Sequence, residues 1–298
     1  MKIKNVMIAG GGILGSQIAW QTAFRGFKVT VYDAFEKGIE KSKGFHKQFS
    51  ELFLNERGAS PEDIESTFAR LSYTTSLTEA VKDIDLISES IPENVEIKTN
   101  FYRELAAIAP EKTILTTNSS TTLPSQYADV TGRPKKFLAL HFANGIWDSN
   151  VGEVMGHAKT DPTVFDRVVE FAKAIGMVPI LLKKEQPGYV LNSLLMPLLF
   201  SASNLLVNGV SDVQSIDKTW MISTRTPLGP FVIMDIIGMQ TMYDIMMLWG
   251  TNHNDDGIIN CANFIKENYI DKGNMGMSSG EGFYKYPNPV YEQEAFLN

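Results

Sequence analysis

The sequence predicts an α/β protein: a doubly wound parallel sheet in the first part of the chain, then an all-helical part. Three observations carry this reading. Short β-branched runs alternate with helical stretches as far as residue 182, which implies a parallel sheet covered on both faces. A glycine-rich turn joins the first strand to the first helix. After Pro187 the strand signals fade and helical patterns alone follow.

Asn5 to Ala9 is a short apolar run, read as a buried strand. Leu14 to Phe24 is a helix that stops near Gly26, and Lys28-Val29-Thr30-Val31-Tyr32 alternates as a second strand. Residues 36–57 are charged and helical in pattern. Ser60-Pro61-Glu62-Asp63 starts another helix, with serine as N-cap, proline at the first helical position, and Asp63 where a capping box takes Glu or Gln. Leu86-Ile87 lies in a short strand before Glu89, Glu93 to Ala109 is a helix, and Thr113 to Thr117 is a strand. Phe137 to Leu140 is a strand ending at His141, followed by a helix from Pro162 to Ile175 and a strand from Val178 to Leu182. Helical segments at 188–208, 212–223, 231–248 and 257–269 complete the chain. The domain boundary falls near 185, giving a sheet domain over 1–185 and a helical domain over 186–298.

A net charge of -7 without a polybasic run argues against a nucleic-acid partner. One cysteine, Cys261, cannot form an intramolecular disulfide, which points to a reducing compartment, the cytoplasm. The longest apolar stretch, Tyr189 to Leu206, is broken by Asn192, Ser193, Pro197, Ser201, Ser203 and Asn204. That suits a buried or interface helix, not a membrane span. No metal site is expected. The apolar helices Leu194 to Leu206 and Phe231 to Leu248 offer more apolar surface than a small domain hides, so a homodimer is expected.

Gly10-Gly11-Gly12-Ile13-Leu14-Gly15 fits the pattern G-x-G-x-x-G, and it lies where a dinucleotide fingerprint must lie, after one strand and before a second that ends on Asp33. Gly10 permits the tight turn, Gly12 lets a pyrophosphate approach the backbone, and Gly15 lets the helix pack on the strand. The first-turn amides at Ile13 and Leu14 and the helix dipole attract the phosphates. Asp33 accepts hydrogen bonds from the adenine-ribose hydroxyls. The cofactor expected is NAD, and the domain a Rossmann domain.

The motifs GGGILG (10–15), SESIPEN (88–94), TNSST (117–121), HFAN (141–144), GEVMG (152–156), PGYVLNS (187–193), TPLGPF (226–231) and GEGFYKY (280–286) occur in order. With them the chain resembles the 3-hydroxyacyl-CoA dehydrogenase family over essentially its whole length, and within it the bacterial diketoreductase-like branch. The resemblance implies a catalytic set of Ser120, His141, Glu153 and Asn192: histidine as general acid/base, glutamate paired with it, serine and asparagine holding substrate oxygens. It also implies cofactor contacts at Glu93, Lys98, Asn118, Ser120 and Asn144. The chemistry is consistent, because ketone reduction needs a proton at oxygen as hydride reaches carbon, and histidine titrates near neutrality.

Against the family's usual pattern, His141-Phe142-Ala143-Asn144-Gly145-Ile146-Trp147-Asp148 replaces His-Phe-Phe-Asn-Pro, so Ala143, Gly145 and Trp147 are expected to reshape the wall beside His141. The stretch Leu52-Phe53-Leu54-Asn55-Glu56-Arg57 lacks the lysines that meet CoA phosphates, and Lys37, Lys41, Lys43 and Lys47 lie earlier. Ser193 and Ser278 stand where arginine and lysine are usual. The expected substrate is a small 3-oxo or 3-hydroxy compound, free or CoA-linked. The alternatives are a dehydrogenase of a non-CoA 3-hydroxy acid, such as a sugar acid or carnitine-like compound, and a non-catalytic NAD-binding protein.

Overall fold

The structure is a computed structural model that describes residues 3–297. They form two compact units, one ending at Val190 and the other beginning at Leu191.

The first unit contains, in order, β1 (Asn5–Ala9), α1 (Ile13–Phe24), β2 (Lys28–Tyr32), α2 (Glu36–Glu56), α3 (Pro61–Ala69), β3 (Leu71–Thr74), α4 (Leu77–Ala80), β4 (Leu86–Glu89), α5 (Val95–Ile108), β5 (Ile114–Thr117), α6 (Pro124–Tyr127), β6 (Phe137–Phe142), β7 (Val151–Met155), α7 (Pro162–Ala174) and β8 (Val178–Leu182). The strands form one sheet in the order β3-β2-β1-β4-β5-β6-β7-β8. Every neighbouring pair is parallel except β6–β7. Alternate residues of β1 feed two cores on opposite faces. Val6 and Ile8 pack with Ile18, Val31 and Leu138, while Met7 and Ala9 pack with Phe101, Tyr102 and Leu105. This is why the strand reads as a continuous apolar run. The chain leaves β1 toward β2 and β3, then returns to β4 on the other side. That switch point opens a crevice at the carboxyl ends of β1 and β4.

The second unit contains α8 (Leu191–Val207), α9 (Val213–Thr224), α10 (Pro230–Ile237), α11 (Met239–His253) and α12 (Asp256–Asn268) around a methionine-rich core that includes Leu199, Phe231, Met234, Met242 and Met246. Two buried carboxylates organise it. Asp217 on α9 accepts the backbone N–H groups of Phe231 at 2.9 Å and Val232 at 3.3 Å, capping α10, and the Tyr284 hydroxyl at 2.8 Å. Asp235 accepts the N–H groups of Phe283 at 2.8 Å and Tyr284 at 2.9 Å, and the Tyr286 hydroxyl at 2.9 Å. A Cβ at Gly229 or Gly282 would come within 2.2 or 2.1 Å of these carboxyl groups. The TPLGPF and GEGFYKY motifs therefore build the architecture of this unit. Among the described residues, no single helix is long and apolar enough to cross a membrane.

Several elements depart from the sequence-based expectation. The helix expected over 188–208 starts only at Leu191, because Gly188 and Tyr189 hold φ of +76° and +54°. The helix expected over 231–248 breaks at Gly238, with φ +95°, where Met239 N–H turns to the Met275 carbonyl. Strands β3 and β7 and the short helices α4 and α6 do not follow from the sequence pattern. The five residues of β7 include Gly152 and Glu153 and give little alternation to read. Asp63 completes the capping box of α3, receiving the Ser60 N–H at 2.9 Å while Ser60 Oγ accepts its own N–H at 3.1 Å.

Candidate active site at the carboxyl edge of the sheet

At the end of β1, Gly10 holds φ +112°, and a Cβ there would meet the Ser90 carbonyl at 2.4 Å. A Cβ on Gly15 would meet the Gly10 carbonyl at 2.2 Å, so the turn and α1 are in direct backbone contact. Gly12 differs: nothing lies within 4 Å of its Cβ position. As the N-cap of α1 it brings no side chain to the first-turn amides, which include those of Ile13 and Leu14. Open space, free amides and a helix dipole suit a pyrophosphate. Asp33, just past β2, accepts Gly11 N–H through Oδ2 at 2.8 Å and Phe35 N–H through Oδ1 at 3.0 Å. Gly38, in the first turn of α2, packs directly on that carboxyl group. A Cβ at 38 would lie 2.2–2.4 Å from its three atoms. Sequence reasoning missed Gly38, which reads as one more helical glycine.

The next layer is a buried ionic network. Glu89 ends β4 fully buried, and its Oε1 receives Lys98 Nζ at 2.6 Å and Ile91 N–H at 2.9 Å. Its Oε2 receives the hydroxyls of Tyr102 at 2.7 Å and Thr117 at 2.8 Å. Four donors satisfy this carboxylate, which a buried charge requires. Lys98 is 1 % exposed and also reaches Glu93 Oε1 at 3.7 Å. Glu93 is more open. Its Oε2 accepts Ser119 Oγ at 2.8 Å and Thr121 Oγ1 at 3.1 Å, and so fixes the loop after β5. The sequence held a signal for Glu89: Lys98 and Tyr102 are spaced i, i+4 on one face of α5.

That loop carries Ser120 to His141. Thr117 of β5 pairs with Ala139 of β6, so residues just beyond each strand end meet. Ser120 Oγ lies 2.9 Å from His141 Nε2, and His141 Nδ1 lies 2.9 Å from Glu153 Oε2. His141 and Glu153 are direct partners on antiparallel β6 and β7, which puts both side chains on one face. The single antiparallel pair of the sheet thus creates the dyad. Glu153 Oε1 accepts Val190 N–H at 2.8 Å. The pair is dry, at 4 % and 2 % exposure, while Ser120 stands half-buried at its outer end. With Glu153 ionised, Nδ1 carries the proton, and neutral His141 accepts from Ser120 at Nε2. Protonated, Nε2–H becomes a donor toward whatever lies beside Ser120. The Tyr189 ring stacks on His141 at 4.3 Å and 12°.

The remaining expected residues are placed differently. Asn118 joins strand ends, its Oδ1 accepting Phe142 N–H at 2.8 Å and its Nδ2 reaching Ser90 Oγ at 3.4 Å. Asn144 is exposed in the loop after β6, where Gly145 N–H donates to Gln17 Oε1 at 2.8 Å. Trp147 corrects the expectation of a wall beside His141. Its indole packs edge-on to Phe49 at 5.0 Å and Phe53 at 5.5 Å, tethering the loop to α2. The adjacent Asp148 pairs with Arg57. Asn192 stands in the first turn of α8, in the second unit.

A buried carboxylate that holds an imidazole ready to give or take a proton, on the sheet that also carries a dinucleotide cradle, defines the class as a dinucleotide-dependent dehydrogenase. Residues 5–186 match the NAD-binding domain of 3-hydroxyacyl-CoA dehydrogenase and residues 188–286 match its C-terminal domain. The chain belongs to the 3-hydroxyacyl-CoA dehydrogenase family. It is 49 % identical to a diketoreductase of known structure described as catalysing reactions of dicarbonyl compounds, with a TM-score of 0.90 over 96 % of this chain and all of that one. It is 32 % identical to a probable 3-hydroxybutyryl-CoA dehydrogenase of Bacillus subtilis, covering 96 % of this chain and 98 % of the relative. It is 31 % identical to the mitochondrial hydroxyacyl-coenzyme A dehydrogenase of Rattus norvegicus, covering 95 % and 91 %. It is thus an NAD-dependent oxidoreductase acting on CH–OH groups.

Proposed function

We propose that this enzyme reduces the ketone of free 3-oxo esters and diketo compounds and oxidises the corresponding 3-hydroxy compounds, with Ser120, His141, Glu153 and Asn192 as its catalytic set. The observation that carries this reading is the Ser120–His141–Glu153 chain, with both links at 2.9 Å. NAD, when bound, accepts or supplies the hydride. Gly10, Gly12, Gly15 and the first-turn amides of α1 hold its pyrophosphate, and Asp33 its adenine ribose. In reduction, His141 delivers its Nε2 proton to the ketone oxygen, and Ser120 Oγ–H orients that oxygen. Glu153 stays ionised and stabilises the imidazolium, the orienting role of the acid in a Ser-His-Asp triad. In oxidation the neutral ring takes the hydroxyl proton. Asn192 is assigned to a second substrate oxygen by family resemblance.

The preference for free substrates over CoA thioesters is supported by the 49 % identity to the diketoreductase. It is supported too by Arg57, the one cation of the 52–57 stretch, whose guanidinium is already paired with Asp148. Self-association as a homodimer is supported by exposed apolar residues of the second unit, including Leu194, Ile222 and Leu248. The free, buried Cys261 supports a reducing compartment, and with it a cytoplasmic enzyme.

The test is NADH turnover against a panel of a 3-oxo ester, a diketo ester, acetoacetyl-CoA and sugar-acid or carnitine-like 3-oxo acids. Turnover of the free esters is expected. Turnover of the acids alone would move the substrate class, and none with any member would leave a non-catalytic NAD-binding protein.

A further inference from the structure

Tyr189 plays no part in the chemistry above, yet it touches His141 and the peptide group that precedes Ser120. It is 1 % exposed, and its ring lies nearly parallel to the imidazole of His141, at 4.3 Å and 12°. Its hydroxyl donates to the Ser119 carbonyl at 2.8 Å, the peptide group immediately before Ser120. Burial, with Glu153 nearby, pushes that hydroxyl well above its ordinary pKa, so it remains a donor. The next residue, Val190, donates its N–H to Glu153. The backbone adopts a conformation unusual for a non-glycine residue to achieve this, with φ +54° at Tyr189 following +76° at Gly188.

We propose that Tyr189 is a positioning residue: its ring fixes the plane of the His141 imidazole, and its hydroxyl ties that ring to the peptide that carries Ser120. The inference rests on the reading of His141 as the acid/base. One side chain thus spans the Ser120–His141 bond and holds the proton path in line before a substrate arrives.

The test compares wild type with Tyr189→Phe, Tyr189→Leu and His141→Ala in ketone reduction, with Tyr189→Met as a second non-aromatic variant should the leucine variant fail to fold. NADH affinity is read separately by fluorescence. Tyr189→Leu should lower kcat about 10- to 100-fold, the scale of a misplaced reacting group. Tyr189→Phe keeps the ring and should restore most of the activity, with only a several-fold loss in kcat. NADH affinity should stay near wild type in all variants. A leucine variant with wild-type kcat would overturn the proposal, as would equal losses of kcat in the phenylalanine and leucine variants. An active His141→Ala would instead overturn the acid/base reading on which it rests.

Discussion

At the residue scale, chemistry and cofactor choice rest on two carboxylates held in opposite ways. Glu153 is sealed against His141, whereas Asp33 is shaped by backbone alone. His141→Ala should lower kcat about 10²–10⁴-fold, the usual contribution of general acid–base catalysis, with NADH affinity unchanged. Glu153→Gln should follow it in direction. Steady-state rates and NADH fluorescence titration check both, and His141→Ala retaining more than about a tenth of wild-type kcat would remove it from the mechanism. With Asp33 proposed to hold the adenine ribose, it would meet the 2′-phosphate of NADPH, so NADH should bind about 10- to 100-fold more tightly than NADPH. Gly38→Ala, whose Cβ would stand 2.2 Å from the Asp33 carboxyl carbon, should shift that carboxylate and bring the two affinities closer. Gly44→Ala, in the same helix with nothing within 4 Å, should leave the ratio as it is. Binding titrations with both cofactors decide it, and an unchanged ratio in Gly38→Ala would count against the clamp. Asp33 and His141 were legible because their meaning is local: each ends a strand next to a recognisable pattern. Tyr189 was not, because its role arises from an approach between segments distant in sequence; Gly38 lies close to Asp33 in sequence but reads as an ordinary helical glycine, and Glu89 shows only through the spacing of Lys98 and Tyr102.

At the element scale, α2 shows how burial turns a polar residue into a pH liability. His46 is fully buried, and its Nε2–H donates to the Ser16 carbonyl at 2.9 Å. Its Nδ1 must then accept from the Tyr73 hydroxyl at 2.6 Å. Desolvation lowers the His46 pKa to about 4 from an ordinary 6.5. The folded state therefore stays neutral where the unfolded chain takes a proton. The stability it contributes is full above pH 6.5 and is lost as pH falls toward 4. Between pH 7 and 5 the loss should be about 2 kcal/mol. Urea unfolding of wild type and His46→Gln at both pH values tests it. The wild type should lose more stability than the variant, and equal losses would clear His46. Most elements of the first unit were legible from periodicity. The exceptions have physical causes: β7 is too short and mixed to show alternation, and the starts of α8 and α11 are set by positive φ that no hydrophobic pattern encodes.

At the scale of the whole molecule, the alternation of strands and helices was legible apart from β3, β7, α4 and α6, and with it a parallel sheet that carries a glycine-rich turn after β1. The internal order of the helical unit was not. It depends on Asp217 and Asp235, which receive backbone N–H groups from segments 14 to 49 residues away. The substrate is the property that composition and fold leave widest, since the family spans CoA-linked and free substrates. The proposed preference for free substrates rests on the charge distribution. Arg57 is taken up by Asp148, and Lys37, Lys41, Lys43 and Lys47 are exposed on α2. Each CoA phosphate that finds no cation forgoes a charge-assisted hydrogen bond of about 1.5–3 kcal/mol at best, less where solvent screens it. A free ester carries no phosphate, so its binding is indifferent to those cations. The most direct measurement is therefore kcat/KM for ethyl acetoacetate and for acetoacetyl-CoA with NADH, at low and at high salt. The expected result is that the free ester is reduced at least as efficiently as the thioester and that the ratio changes little with salt. A large preference for acetoacetyl-CoA that collapses as salt is added would contradict it, and would place the lysines of α2 on the nucleotide.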